Sequence, residues 1–203
     1  MSERSSSRLT DRKRAAIIEA AIDEFRAAGY ETASMDRIAA RAGASKRTVY
    51  NHFPSKDALF AEILQRLWEA SCEGETLPFD AGRPLRVQLL ELIGQKLALL
   101  NDDAFVALAR VAIAAGMHSP ERVQAMIARF GEREEGLTEW IRAAAAAGRL
   151  KAPDPEFASH QLQGLVKGFA FWPQIALGQP PLSVAMQRQV AESSVDMFLA
   201  HYA

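Results

Sequence analysis

An all-α fold is what the sequence predicts, and three observations carry that prediction. Apolar residues recur at the i, i+3, i+4, i+7 spacing of a helix face in one segment after another. Ser-Pro and Asp-Pro start signals and Gly or Pro stops punctuate those segments. No strand pattern, internal repeat or low-complexity run competes with them. At 203 residues the chain can bury a sizeable core and has room for one or two domains.

The elements follow in order. Residues 1–9 are rich in Ser and Arg and read as a flexible arm. Helix one is expected from Thr10 or Asp11, with Ile18, Ala21, Ile22 and Phe25 on its core face, and stops at Gly29. The stretch 32–56, TASMDRIAARAGASKRTVYNHFPSK, reads as two short helices joined by a tight turn. Ile38 and Ala39 face inward, and Gly43 supplies the bend, where a residue without a Cβ takes a positive φ cheaply. Ser45 is placed to cap the second helix, which Val49 and Phe53 anchor. Pro54-Ser55 opens helix four, with Phe60, Ile63, Leu64 and Leu67 inward.

Residues 73–84, EGETLPFDAGRP, read as a loop and the expected domain boundary. Only helices are expected beyond it. Leu85, Leu89, Leu92, Ile93 and Leu97 mark one, and Ala104 to Gly116 another. Ser119-Pro120-Glu121 starts a third, read as running to Ala147 with possible kinks at Gly131 and Gly136. Asp154-Pro155-Glu156 starts a helix read as reaching Leu177; Gly178-Gln179-Pro180-Pro181 breaks the chain, and a last helix runs from Ser183 to about Ala200.

The net charge of −1 hides an asymmetry: residues 1–56 hold 11 Lys and Arg against 7 Asp and Glu, the remainder 13 against 18. A basic head on an acidic body points to nucleic acid as a partner of the head. The lone Cys72 excludes an intramolecular disulfide and suits a reducing cytoplasm, where it reads as an inert thiol. The polar N-terminus lacks the apolar core of a secretion signal, and the apolar run Ala104–Met117, interrupted by Arg110, is too short to span a bilayer. A cytoplasmic protein without a membrane partner is expected. His118, His160 and His201 lack metal-ligand spacing, and no nucleophile motif, phosphate loop or paired carboxylates stand out. No metal, cofactor or enzyme activity is therefore expected.

Gly29-Tyr30, Thr32, Ser34, Ile38-Ala39, Ala42-Gly43-Ala44-Ser45, Thr48-Val49-Tyr50-Asn51-His52-Phe53, Lys56 and Leu59 together form a pattern that resembles the tetracycline-repressor-like (TetR) family of transcriptional regulators. It covers roughly the first third of the chain, and so many matches at fixed spacings do not arise by chance. The remainder is similar to the family only in length and helical character. The resemblance implies a helix-turn-helix DNA-binding domain over residues 1–56 with its arm. A connecting helix would join it to a helical effector-binding and dimerisation domain over 57–203.

Chemistry and resemblance assign the DNA contacts together. Lys46 and Arg47, at the exposed start of the recognition helix, reach base edges, and Arg suits guanine O6 and N7. Thr48 can touch a thymine methyl or a phosphate, and Asn51 can read an edge. Tyr50, His52 and Lys56 look like phosphate ligands, as the corresponding family positions are. Ser34 and Ser45 add hydroxyls at helix starts. Arg4, Arg8, Arg12, Lys13 and Arg14 of the arm could follow the DNA backbone or enter the minor groove.

One recognition helix reads too few base pairs to find a single site in a genome, so a homodimer on a palindromic operator is expected. Leu162, Leu165, Val166 and Phe169 form one candidate dimer stripe, and Met186, Val190 and Met197 another, some of them shared with the core. Trp68, Phe105, Met117, Met126, Phe130, Trp140 and Trp172 are candidates for the lining of a pocket for a mostly apolar effector. The segment from Glu156 to Leu177, with Gly164, Gly168 and Pro173, resembles a subgroup of the family that regulates efflux systems. The expected function is a repressor released by its effector. Two other readings stay open: a DNA-binding dimer controlled by a protein partner without a small effector, and an all-helical enzyme or carrier. The density of matched positions at 29–59 speaks against the last.

Overall fold

The computed structural model describes residues 2–73, 77–128 and 136–203, with the side chains of 2–9, 71–73, 122, 126 and 127 excepted. Among the described residues the regular structure is all helical: α1 Ser2–Thr32, α2 Met35–Arg41, α3 Lys46–His52, α4 Lys56–Glu73, α5 Leu85–Leu100, α6 Asp103–His118, α7 Pro120–Ile127, α8 Gly136–Ala146, α9 Pro155–Ala170, α10 Trp172–Leu177 and α11 Val184–Tyr202. The expected starts at Ser45, Asp154 and Ser183 are all N-caps, their side-chain oxygens accepting from the amides of Thr48, Phe157 and Met186.

Three expectations are corrected. The arm is helical, because no Gly or Pro interrupts residues 2–28 and α1 continues upstream of Thr10. Gly29, at φ 75° and ψ 161°, kinks the chain there, and helical residues resume to Thr32. The helix begun at Pro155 ends at Ala170, since Pro173 has no amide to continue it. The buried Gln174 side chain instead donates to the carbonyls of Ala170 (2.5 Å) and Leu100 (2.9 Å). Of the long helix read from Ser119 to Ala147, α7 and α8 are described, and 129–135, including Phe130 and the expected kink at Gly131, lie outside the described residues.

The chain packs as two compact units, Met1–Trp68 with Ala107–Gly131, and Glu69–Val106 with Glu132–Ala203. The first has a core of Ile17, Ile18, Ala21 and Phe25 from α1, Ile38 from α2, Val49 from α3, Leu59, Phe60 and Ile63 from α4, and Val111 and Ala115 from α6. Phe25, Tyr30 and Phe60 stack within it at 4.9 to 6.0 Å between ring centroids. In the second, α11 packs on α5 and α9, and α8 on α9, around Leu89, Leu92, Ile93, Trp140, Ile141, Leu162, Val166 and Val195. There the buried Gln88 holds the 77–84 loop. Its amide donates to the carbonyls of Asp80 (2.8 Å) and Arg83 (3.1 Å), and its oxygen accepts from the Asp80 amide (2.9 Å) and Trp140 Nε1 (3.2 Å).

Candidate nucleic-acid interface

The turn between α2 and α3 is built by local chemistry. Gly43 adopts φ 59°, its amide donates to the Ala40 carbonyl (3.2 Å), and the Ala44 amide donates to the Ala39 carbonyl (3.0 Å). This is the Schellman closure of a helix C-terminus, which an L side chain at Gly43 would strain. Ser45 then caps α3, accepting from the Thr48 amide at 3.1 Å. Ser34 caps α2 in the same way, accepting from the Arg37 amide at 3.3 Å.

Within α3 only Val49 is buried, and Phe53, the residue that follows the helix, is buried as well. Lys46, Arg47, Tyr50 and Asn51 are exposed, and Thr48 and His52 half-buried. Arg47 and Asn51 stand four apart, as do Lys46 and Tyr50, so the pairs form adjacent stripes on the outward face. Lys46 Nζ meets Asp36 Oδ2 of α2 at 2.6 Å, both largely in water. Such a pair is weak and salt-screened, so it leaves Lys46 available.

The other cations of this unit divide. Arg12 and Lys13 line a cleft of about 330 Å³ with Ala42, Gly43, Ser45 and Thr48. Arg14 instead turns inward, its guanidinium 4.6 Å from the Phe53 ring centroid and 2.6 Å from Glu62. The side chains of Arg4 and Arg8 lie outside the described residues. Lys56 turns toward the backbone. Its ammonium donates to the carbonyls of Tyr30 (2.7 Å), Glu31 (3.0 Å) and Ala33 (3.3 Å) and lies 4.5 Å from the Tyr30 ring centroid.

Sequence reasoning missed the buried Glu24 of α1. It meets Arg37 at 2.5 Å and Arg41 at 3.3 Å, and Arg37 also donates to the Thr32 carbonyl at 2.6 Å. The signal was available: Glu24 follows Ile17 and Ala21 on the apolar stripe of α1, where a carboxylate requires a buried partner.

The candidate effector residues are not gathered around one cavity among the described residues. Trp140 and Phe105 are buried, Trp68 is half-buried, and Met117 and Trp172 are 81% and 51% exposed. The Met126 side chain, like Phe130, lies outside the described residues. Trp140 borders a depression of about 430 Å³ with Phe79, Glu139 and Ala143. The candidate dimer stripes split as well. Leu162, Val166 and Val190 are core, Leu165 is half-buried, and Phe169, Met186 and Met197 are 57%, 42% and 58% exposed. Leu165 and Met197 line a depression of about 460 Å³ between α9 and α11 with Gly164, Phe198, His201 and Tyr202. Among the described residues, no group of three or more His, Cys, Asp or Glu could hold a metal ion, and no helix is long and apolar enough to cross a membrane.

Comparison with known proteins agrees with this geometry. Residues 17–63 match the family of bacterial regulatory proteins, tetR family, and residues 87–203 match the C-terminal domain of AefR-like transcriptional repressors. A TetR family transcriptional regulator from Pseudomonas syringae pv. tomato str. DC3000 is 50% identical and covers 94% of this chain and 96% of its own, with a TM-score of 0.84. The flavonoid-responsive regulator FrrA is 30% identical over 95% of this chain and 97% of its own, with a TM-score of 0.71. The HTH-type transcriptional activator FasR of Mycolicibacterium smegmatis is 46% identical over 56 residues, which are 28% of this chain and 26% of that protein. The match thus spans about a quarter of that curated relative. The chain belongs to the TetR family of DNA-binding transcriptional regulators.

Proposed function

We propose that the protein is a cytoplasmic repressor that binds a palindromic operator as a homodimer and is released by a small, mostly apolar effector. One observation carries the DNA half of this reading: α3 commits only Val49 to the core and turns Lys46, Arg47, Tyr50 and Asn51 outward. Lys46, Arg47, Thr48 and Asn51 read base edges, and Tyr50, His52 and Lys56 meet phosphates. Capping uses the oxygens of Ser34 and Ser45 as acceptors, which leaves the Ser34 hydroxyl a proton to donate to phosphate, while the Ser45 and Thr48 hydroxyls, 2.8 Å apart, meet phosphate as a pair.

The similarity of residues 87–203 to a repressor C-terminal domain supports repression, and the description of FrrA as flavonoid-responsive supports an aromatic effector. The exposed Phe169, Met186 and Met197, with Leu165, supply apolar surface for a second copy, while Leu162, Val166 and Val190 support that face from beneath. In this reading, residues 1–56 carry the DNA contacts and 57–203 the effector and dimer functions. Effector binding would favour dimers whose heads no longer match successive major grooves, about 34–36 Å apart.

The test is selection of the purified protein against random duplex DNA, then binding of the winner across a salt series. A palindromic winner with a steep salt slope is expected. Arg47→Ala should cost about 1–3 kcal/mol of discrimination at one base position of each half-site. A selection that enriches no sequence would sink the proposal.

A further inference from the structure

Two cations open α3, and their surroundings differ. Lys46 Nζ meets Asp36 Oδ2 of α2 at 2.6 Å, whereas Arg47 has no ion pair among the described residues. The cations of α2 itself are committed elsewhere, since Arg37 and Arg41 both turn back to the buried Glu24 of α1. Asp36, with 57% of its side chain exposed, faces α3 instead. A carboxylate beside the outward cations of a DNA-binding head repels phosphate, so its presence there weakens general affinity for DNA. Stability does not account for it, because an exposed pair of this kind adds little.

We infer, taking α3 as the base-reading helix proposed for this protein, that Asp36 is a positioning residue for specificity: it holds the Lys46 ammonium to one base edge and keeps it off the phosphates. A Lys side chain is a point charge on a flexible stem, able to reach phosphate or base alike. With one ammonium proton on Asp36, two remain, which matches the O6 and N7 acceptors of guanine. The pair carries no net charge, so a phosphate gains little by meeting it. Where DNA displaces water from the pair, the attraction that is weak in solution grows. Arg47 needs no such holder, because its planar fork already fits guanine.

The test uses the full chain, the duplex that the wild-type protein selects, and duplexes in which each base pair of the half-site is replaced in turn. Lys46→Ala and Arg47→Ala identify the position that each side chain reads, by the discrimination lost there. Asp36→Ala and Asp36→Asn should each lose about tenfold in discrimination at the Lys46 position and none at the Arg47 position. Both should bind unrelated duplex more tightly, with a slope of log K against log salt steeper by about 0.9, as the released ammonium finds a phosphate. Asp36→Ala combined with Lys46→Ala should discriminate no worse than Lys46→Ala alone. Full discrimination at the Lys46 position in both Asp36 variants would overturn the inference, as would wild-type discrimination in Lys46→Ala. Equal losses at the Arg47 position would overturn it too, by showing that Asp36 only supports the fold of the turn. A wild-type selection that enriches no sequence would remove the proposed function itself, and this inference with it.

Discussion

α3 in the first unit is seven residues long and buries only Val49, whereas α9 in the second is sixteen residues long and buries Ala158, Leu162, Val166 and Ala170. Their polar fastenings differ accordingly. In the first unit the joints are ionic: Glu24 of α1 with Arg37 and Arg41 of the short α2, and, between α1 and α4 on either side of the short helices, Arg14 with Glu62 and the Lys56 ammonium on backbone carbonyls. Beneath the long helices of the second, Gln88 and Gln174 bond backbone carbonyls, and Gln163 donates to Ser159. A seven-residue helix has too little apolar surface to fix its own direction, so directional bonds to its neighbours do so. A long helix settles into its groove by packing, and neutral amides suffice to tie loops and breaks to it.

Three changes would break or sharpen this contrast. The largest effect belongs to Trp140→Ala, which empties a fully buried site and removes a donor to Gln88. It should cost about 3–5 kcal/mol in urea unfolding; a cost below about 1 kcal/mol would show that packing is not what secures the second unit. Next comes Glu24→Ala. Its two arginines are half-exposed and can rehydrate, which discounts the loss to about 2 kcal/mol. DNA affinity of the folded variant should fall as well, and an unchanged Kd would mean that the α1–α2 joint does not orient α3.

The smallest effect is expected at Arg86 and Asp196, an exposed pair joined through two hydrogen bonds of 2.7 and 3.1 Å. Arg86 holds the Asp196 carboxyl below the usual carboxylate range, chiefly by hydrogen bonding. A depressed folded value stabilises above the unfolded pKa of about 3.9 and is lost as pH falls through the folded one. Asp196→Asn should therefore lower Tm barely at neutral pH, and the difference from wild type should vanish in acid. A large neutral-pH loss would place a structural ion pair where the contrast allows none.

Features decided by neighbours in sequence were legible before the structure. Caps at Ser45, Asp154 and Ser183, the Gly43 turn and the core face of α4 all depend on residues within a turn or two of one another. Apolarity did not say which way Met117 and Trp172 would point, because an apolar side chain near a helix end can face either core or water. The ionic joints were hidden for another reason. Glu24 finds Arg41 at a separation of 17 residues, and Lys56 finds Tyr30 at 26, through a turn whose geometry no single segment encodes.

The near-absence of α3 from the core has an evolutionary consequence. Arg47 and Asn51 are exposed, and neither contributes to the packing of the first unit. Replacing them costs the fold little, so mutation can explore new target sequences without first being filtered by stability. Duplicated copies of such a gene could diverge in the sites they occupy while keeping one scaffold, and a designer could graft a new address onto α3 by the same route.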